Sequence, residues 1–173
     1  MRIGLCATAL GIAMLGTIAV AQSVNYDYDK SADFSRFKTY AWVRGTELKD
    51  ELNHKRIVSA IDAQLASKGL SQVEGQPADV LVAYHANFDE NLQINGYSSG
   101  FGGPRLGNLS GTATTQRIVT GTLVVDMMDA RTRAIVWRGV AERDLNPGAK
   151  PEKRDKNITK AAEKIFKNYP PKP

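Results

Sequence analysis

RIVTGTLVVDMM (Arg117–Met128) and AIVWRGVAERDL (Ala134–Leu145), joined by Asp129-Ala130-Arg131-Thr132-Arg133, decide the fold. Both runs are rich in β-branched and apolar residues and are separated by a short polar connection, which predicts a β-hairpin. Upstream, DVLVAYHANF (Asp79–Phe88) alternates Val80, Val82, Tyr84, Ala86 and Phe88 with Leu81, Ala83, His85 and Asn87. Both faces are apolar at its start, as in a central strand, and one becomes polar after Tyr84. Further upstream, Val24, Tyr26 and Tyr28 alternate with polar residues, and FKTYAWV (Phe37–Val43) adds another strand-forming run.

Two amphipathic helices complete the pattern. Ile57, Ile61 and Leu65 recur at four-residue spacing, with Asn53 as the expected N-cap and Gly69-Leu70 as the stop. Ile158, Ala162, Ile165 and Tyr169 mark one face of the second helix, after a polar connection from Pro147 to Asp155 and before Pro170-Pro171. The expected fold class is α+β: a predominantly antiparallel sheet of about five or six strands with both helices on one face. Residues 93–115 hold six glycines and Pro104 without apolar periodicity, and are expected to form a long loop or a loose hairpin tip.

The chain has 173 residues, of which 42% are apolar and 24% charged. That is enough for one globular domain with a core that needs no disulfide or metal. Residues 1–21 have the layout of a secretory signal: Arg2, an apolar stretch from Ile3 to Val20, and a closing Ala19-Val20-Ala21. Cleavage there leaves a domain over 22–168 and a Pro-rich tail over 169–173. Cys6 lies too early to be a lipoprotein cysteine, so the mature chain is expected to lack thiols and the chemistry they support. The expected location is periplasmic or secreted, in a bacterial envelope, with membrane contact at most peripheral. Charge is uneven. Residues 22–90 carry eight basic and eleven acidic side chains, whereas 131–173 carry twelve and five. The basic part supports an alternative reading, adhesion to anionic envelope surfaces; nucleic acid is not an expected partner.

The run from Tyr26-Asp27-Tyr28-Asp29 through Ala32-Asp33-Phe34-Ser35-Arg36-Phe37-Lys38-Thr39-Tyr40-Ala41-Trp42 resembles the opening signature of family 4136 of the domains of unknown function. Arg56-Ile57, Ile61-Asp62, Ala78–His85, Gly121–Asp126 and Val136–Ala141 are similar to that family in order and spacing. The resemblance implies an α+β domain of exported bacterial envelope proteins and lipoproteins, and it implies no activity.

No motif specifies catalysis, a cofactor or a metal. Asp27, Asp29 and Asp33 lack the glycine-turned loop of a calcium site, and Asp33 is expected to cap the turn before Phe34 and Ser35. His54 and His85 are the only histidines. His85, with Asp89 and Glu90 close in sequence, is the centre of the alternative reading, a small metal-dependent or hydrolytic enzyme. The glycine-rich stretch lacks a phosphate-loop ending, and no serine has a nucleophile-elbow frame. Asp126, Asp129, Arg131 and Arg138 are expected to pair across the hairpin, and Trp42 and Trp137 to pack in the sheet. The leading expectation is a non-catalytic domain that binds an envelope protein or lipid through a sheet face or the glycine-rich loop, with Tyr97, Phe101 and Arg105 as contact residues.

Overall fold

The computed structural model describes residues 23–46, 48–74, 77–97 and 112–172. The expected signal segment and Cys6 lie outside them. Strands β1 (Ser23–Tyr28), β2 (Thr39–Trp42), β3 (Ser71–Gln72), β4 (Val80–Tyr97), β5 (Thr112–Asp129) and β6 (Ile135–Leu145) accompany helices α1 (Glu51–Ser67) and α2 (Pro151–Ile165). The strands form one sheet in the order β1-β6-β5-β4-β2-β3.

That sheet is mixed, which corrects the expectation of a predominantly antiparallel one. β1, β6, β5 and β4 pair antiparallel, but β2 runs parallel to both β4 and β3. The cause is α1, which carries the chain from β2 back to the end where β3 and then β4 begin, as a crossover between parallel strands must. The hairpin of β5 and β6 is present as expected. Asp129 shapes its turn by accepting from the N–H groups of Arg131 (2.8 Å) and Thr132 (3.0 Å), and it also pairs with Arg36.

The β4–β5 ladder continues to Tyr97↔Thr112, so residues 93–97 and 112–115 are paired strand and not loop. A ladder needs only backbone groups and tolerated side chains, and β-branched Thr112, Thr114 and Thr115 supply strand propensity without apolar periodicity. β6 stops at Leu145, opposite Val119, so beyond it β4 and β5 continue as a two-stranded ribbon. Residues 98–111, the remainder of the glycine-rich stretch, lie outside the described part.

Helix α1 starts earlier than the expected Asn53 cap. Asp50 is the N-cap and accepts from the N–H groups of Leu52 and Asn53, both at 3.1 Å, while the Asn53 amide donates to Asp50 at 2.8 Å. Both are capping residue types, and the earlier one gains a full helical turn. Gly69 ends the helix at φ 83°, with Leu70 N–H donating to Leu65 C=O and the Leu70 side chain buried. Helix α2 begins at Pro151, within the segment expected to be a connection; proline there gives up an N–H that a helix start leaves unpaired anyway.

One hydrophobic cluster joins Ile57, Ile61 and Leu65 of α1 with Ala161 and Ile165 of α2 and alternate positions of the sheet, Val80, Val82 and Tyr84 on β4 and Leu123, Val125 and Met127 on β5. Trp137 is wholly buried in it, stacked on Phe166 with ring centroids 5.1 Å apart. Tyr40 O–H and Trp42 Nε1–H both donate to Asp62, at 2.7 and 2.9 Å, fixing α1 to β2.

The loops are tied down by carboxylates. Asp79 accepts from Lys38 N–H, Thr39 O–H and Thr39 N–H, each at 2.9 Å, and these bonds hold its carboxyl below the ordinary range. Hydrogen bonds from Ser31, from Ser35 and from the Thr132 and Arg131 N–H groups do the same for Asp29, Asp33 and Asp129. A native carboxyl pKa below its unfolded value, about 4, stabilises the fold above that pH, and the contribution disappears as pH falls through the native value. Chemical denaturation followed by circular dichroism from pH 6 to pH 2 should therefore show stability dropping below about pH 4. Asp79→Ala should lower the plateau and make the drop smaller. An unchanged drop would show that Asp79 takes no part in the acid response.

Candidate functional site

The sheet surface around His85 and a cleft at the far end of the sheet from the β5–β6 turn each bring polar and apolar groups together.

On the sheet surface, Arg138 of β6 lies opposite Asp126 of β5, and its Nε and Nη2 donate to the carboxylate at 2.6 and 2.7 Å. This is one of the expected cross-strand pairs, and it raises the Arg138 pKa. His85 of β4 places Nε2 3.5 Å from the same carboxylate. Its Nδ1 accepts from Thr46 N–H at 3.1 Å, which leaves the ring proton on Nε2 facing Asp126; Thr46 Oγ1 is also 3.1 Å from Nδ1. Thr46 reaches His85 because residues 43–46 continue the parallel ladder of β2. Val43 N–H donates to Val82 C=O at 2.9 Å, and Ala86 N–H to Thr46 C=O at 3.1 Å.

Of the acids expected near His85, Asp89 does not join it, and the Glu90 side chain lies outside the described residues. Asp89 lies four residues along the strand, where it accepts from the Asn87 amide at 3.1 Å. Asp126 takes its place, a partner no local reading of β4 reveals. Both His85 nitrogens face groups that fix the ring. His54 is on α1 instead, with Nδ1 2.6 Å from the Tyr84 hydroxyl. Among the described residues no three histidine, cysteine or acidic side chains gather as a metal site. Asp33 caps the turn as expected, accepting from Ser35 N–H and O–H at 3.0 and 2.6 Å. Of the expected contact residues, Tyr97 is the last residue of β4, and Phe101 and Arg105 lie outside the described residues.

The cleft, about 360 Å³, opens where the helices stop covering the sheet. Its floor continues the inward-facing positions of the core: Ala86 and Phe88 on β4, Val119, Gly121 and Leu123 on β5, Ala141, Arg143 and Leu145 on β6. Ile57 of α1 and Ile158 and Ala161 of α2 form the opposite wall. Leu145 lies over Gly121, where a Cβ would come within 2.5 Å of Leu145 Cδ1, so the glycine admits a large side chain from the next strand. Phe88 remains 47% exposed at the mouth. The volume is at the lower end of the roughly 300–1,000 Å³ of small-molecule sites, and mostly apolar walls with a few polar groups are their usual chemistry.

The cleft's cations are Arg143 and Arg154. Arg154 donates from Nε to Ala149 C=O at 3.0 Å and from Nη2 to Pro147 C=O at 2.9 Å. Arg143 Nε is buried without a hydrogen-bond partner among the described residues. No motif flags these residues; the one signal in the sequence is Arg143 itself, the charged exception in the inward series Trp137, Gly139, Ala141, Arg143, Leu145. The basic C-terminal part thus contributes two of its arginines to a concave site.

No helix among the described residues is long and apolar enough to cross a membrane. The fold is similar to that of a PDZ domain protein from Parabacteroides distasonis, at TM-score 0.56 and 17% identity; the match covers 88% of this chain, which spans 37% of that protein's length. It is also similar to the PelC dodecamer from Paraburkholderia phytofirmans, at TM-score 0.51 and 11% identity over 84% of this chain and 95% of that one. A minor lipoprotein from Acinetobacter baumannii matches at TM-score 0.41, with 11% identity over 76% of this chain and 91% of that one. No relative among curated proteins is found. At these identities the first two likenesses speak of fold alone. The sequence goes further: residues 24–171, from the first strand through both helices and the cleft, match as one unit, and the chain belongs to the family described as Domain of unknown function (DUF4136).

Proposed function

We propose that this is a non-catalytic binding domain of the bacterial envelope, and that the cleft between the helices and the far end of the sheet is where it binds. The observation that carries this reading is the cleft's construction: about 360 Å³ of open space, with apolar side chains from β4, β5, β6, α1 and α2 left facing it. An envelope location is supported by the signal-like layout of residues 1–21. The His85 surface supports catalysis less well, since Nδ1 accepts from Thr46 N–H and Nε2 faces Asp126, so both ring nitrogens are already engaged.

The test is uptake of N-phenyl-1-naphthylamine, a neutral apolar dye whose fluorescence rises on leaving water. The folded chain should take up one dye per molecule. Ala86→Trp, which places an indole in the cleft floor, should weaken binding at least about tenfold, in line with loss of most of the apolar contact area. His85→Ala should bind as the wild type does. Dye uptake untouched by Ala86→Trp in a folded protein, or lost on His85→Ala, would overturn the assignment of the site.

A further inference from the structure

Resting on the reading of the cleft as a binding site, we infer that its ligand is a single-chain anionic amphiphile, an alkyl chain ending in a carboxylate or phosphate, with the anion held by Arg143.

Two features of the cleft point to a negative charge. Its described lining contains two arginines and no aspartate or glutamate. Arg154 spends its hydrogen bonds on the neutral carbonyls of Ala149 and Pro147, so its charge meets no counter-ion there. Arg143 has the greater need: its Nε is buried and has no hydrogen-bond partner among the described residues. A guanidinium nitrogen shut away from water without an acceptor costs free energy, and an oxygen anion beside it removes that cost. The planar fork of an arginine matches a carboxylate or phosphate, through two parallel N–H···O bonds.

Other features point to a chain. Arg143 stands between Ala141 and Leu145 on the inward face of β6, so an anion at its guanidinium has apolar wall on either side. Half-exposed Phe88 extends that wall to the mouth. About 360 Å³ accommodates one medium-length chain and excludes a two-chain phospholipid drawn wholly inside.

The experiment is displacement of the bound dye by three ten-carbon probes below their micelle concentrations: decanoate, decanol and decyltrimethylammonium. Decanoate should compete about ten- to hundredfold better than decanol, as a charge-assisted pair demands, and the cation should compete worst. Arg143→Met should bring decanoate to the level of decanol while leaving decanol unchanged, and Arg143→Lys should keep a reduced preference for decanoate. The thermal midpoint of each variant reports folding, and the retained decanol affinity reports an intact cleft. Equal affinity of the wild type for decanoate and decanol overturns the anion assignment and leaves the cleft in place. Failure of the dye and all three probes to bind overturns the cleft reading itself. Capture by phosphatidylglycerol vesicles without decanoate binding overturns the single-chain assignment.

Discussion

Trp137→Ala should lower the stability of the domain by about 3–5 kcal/mol, the cost of removing a large aromatic from a closed core. Trp137 is wholly buried and meets Phe166 in a stack, Tyr169 edge-on at 5.5 Å, and the backbone of Gly139, whose missing side chain makes room for the indole. A Cβ at Gly139 would lie 2.5 Å from the Trp137 ring and 2.7 Å from Ile165 Cγ2, so ring, glycine and α2 are packed as one unit. The surroundings cannot collapse onto the gap without moving α2, which keeps the loss near the upper end. For a chain of this length the thermal midpoint should fall on the order of 10 °C. Trp137→Phe should cost much less, because it keeps the stack and removes an indole N–H that has no partner among the described residues. Calorimetry of the two variants checks both statements. A Trp137→Ala variant within about 1 kcal/mol of the wild type would show that the β6–α2 contact is not what holds the helix to the sheet.

Gly45→Ala is the second large effect, and it arises from backbone and not from a cavity. A Cβ at Gly45 would collide with the Tyr84 carbonyl oxygen, part of a central strand that cannot yield as a flexible side chain would. Either residues 43–46 lift away or β4 bends. Lifting sacrifices the bonds from Val43 N–H to Val82 C=O and from Ala86 N–H to Thr46 C=O, and releases His85 from Thr46. Overpacking of this kind costs about 1–3 kcal/mol, which lowers the midpoint roughly 5 °C. The signature that separates it from general destabilisation is the His85 ring, whose nitrogen chemical shifts should move toward those of a free imidazole. A Gly45→Ala protein with native stability and native His85 shifts would mean that the crossing segment does not press on β4.

Much of this architecture is legible in the residues, for identifiable reasons. The β5–β6 hairpin, the buried stripe of α1, buried Ala162 and Ile165 of α2 and the Gly69 stop announce themselves through local periodicity and local backbone chemistry, whereas Tyr169, expected on the same helix face, lies beyond the end of α2. β4 reads as a central strand because both its faces are apolar at its start, and it does lie between β5 and β2. The parallel pairing of β2 is different in kind: the direction of a neighbour leaves no mark on one strand's alternation. The extension of β4 and β5 through residues 93–97 and 112–115 escapes because backbone pairing of two strands leaves no required apolar alternation in the sequence. Asp50 and Asn53 are equally good caps on paper, and only the helix's full length chooses between them. The cleft assembles side chains from five elements, so no spacing encodes it.

One consequence of the strand order concerns how the polypeptide is made. β1, the first strand, finds its partner in β6, with Ser23 opposite Glu142. At synthesis rates of about 5–20 residues per second, the interval between the two is on the order of ten seconds, during which the opening strand has no edge to join. Contacts this distant along the chain also close slowly. A chain that ends before residue 137 therefore lacks the closing pair of its sheet, because every β1 residue finds its partner between Trp137 and Glu142.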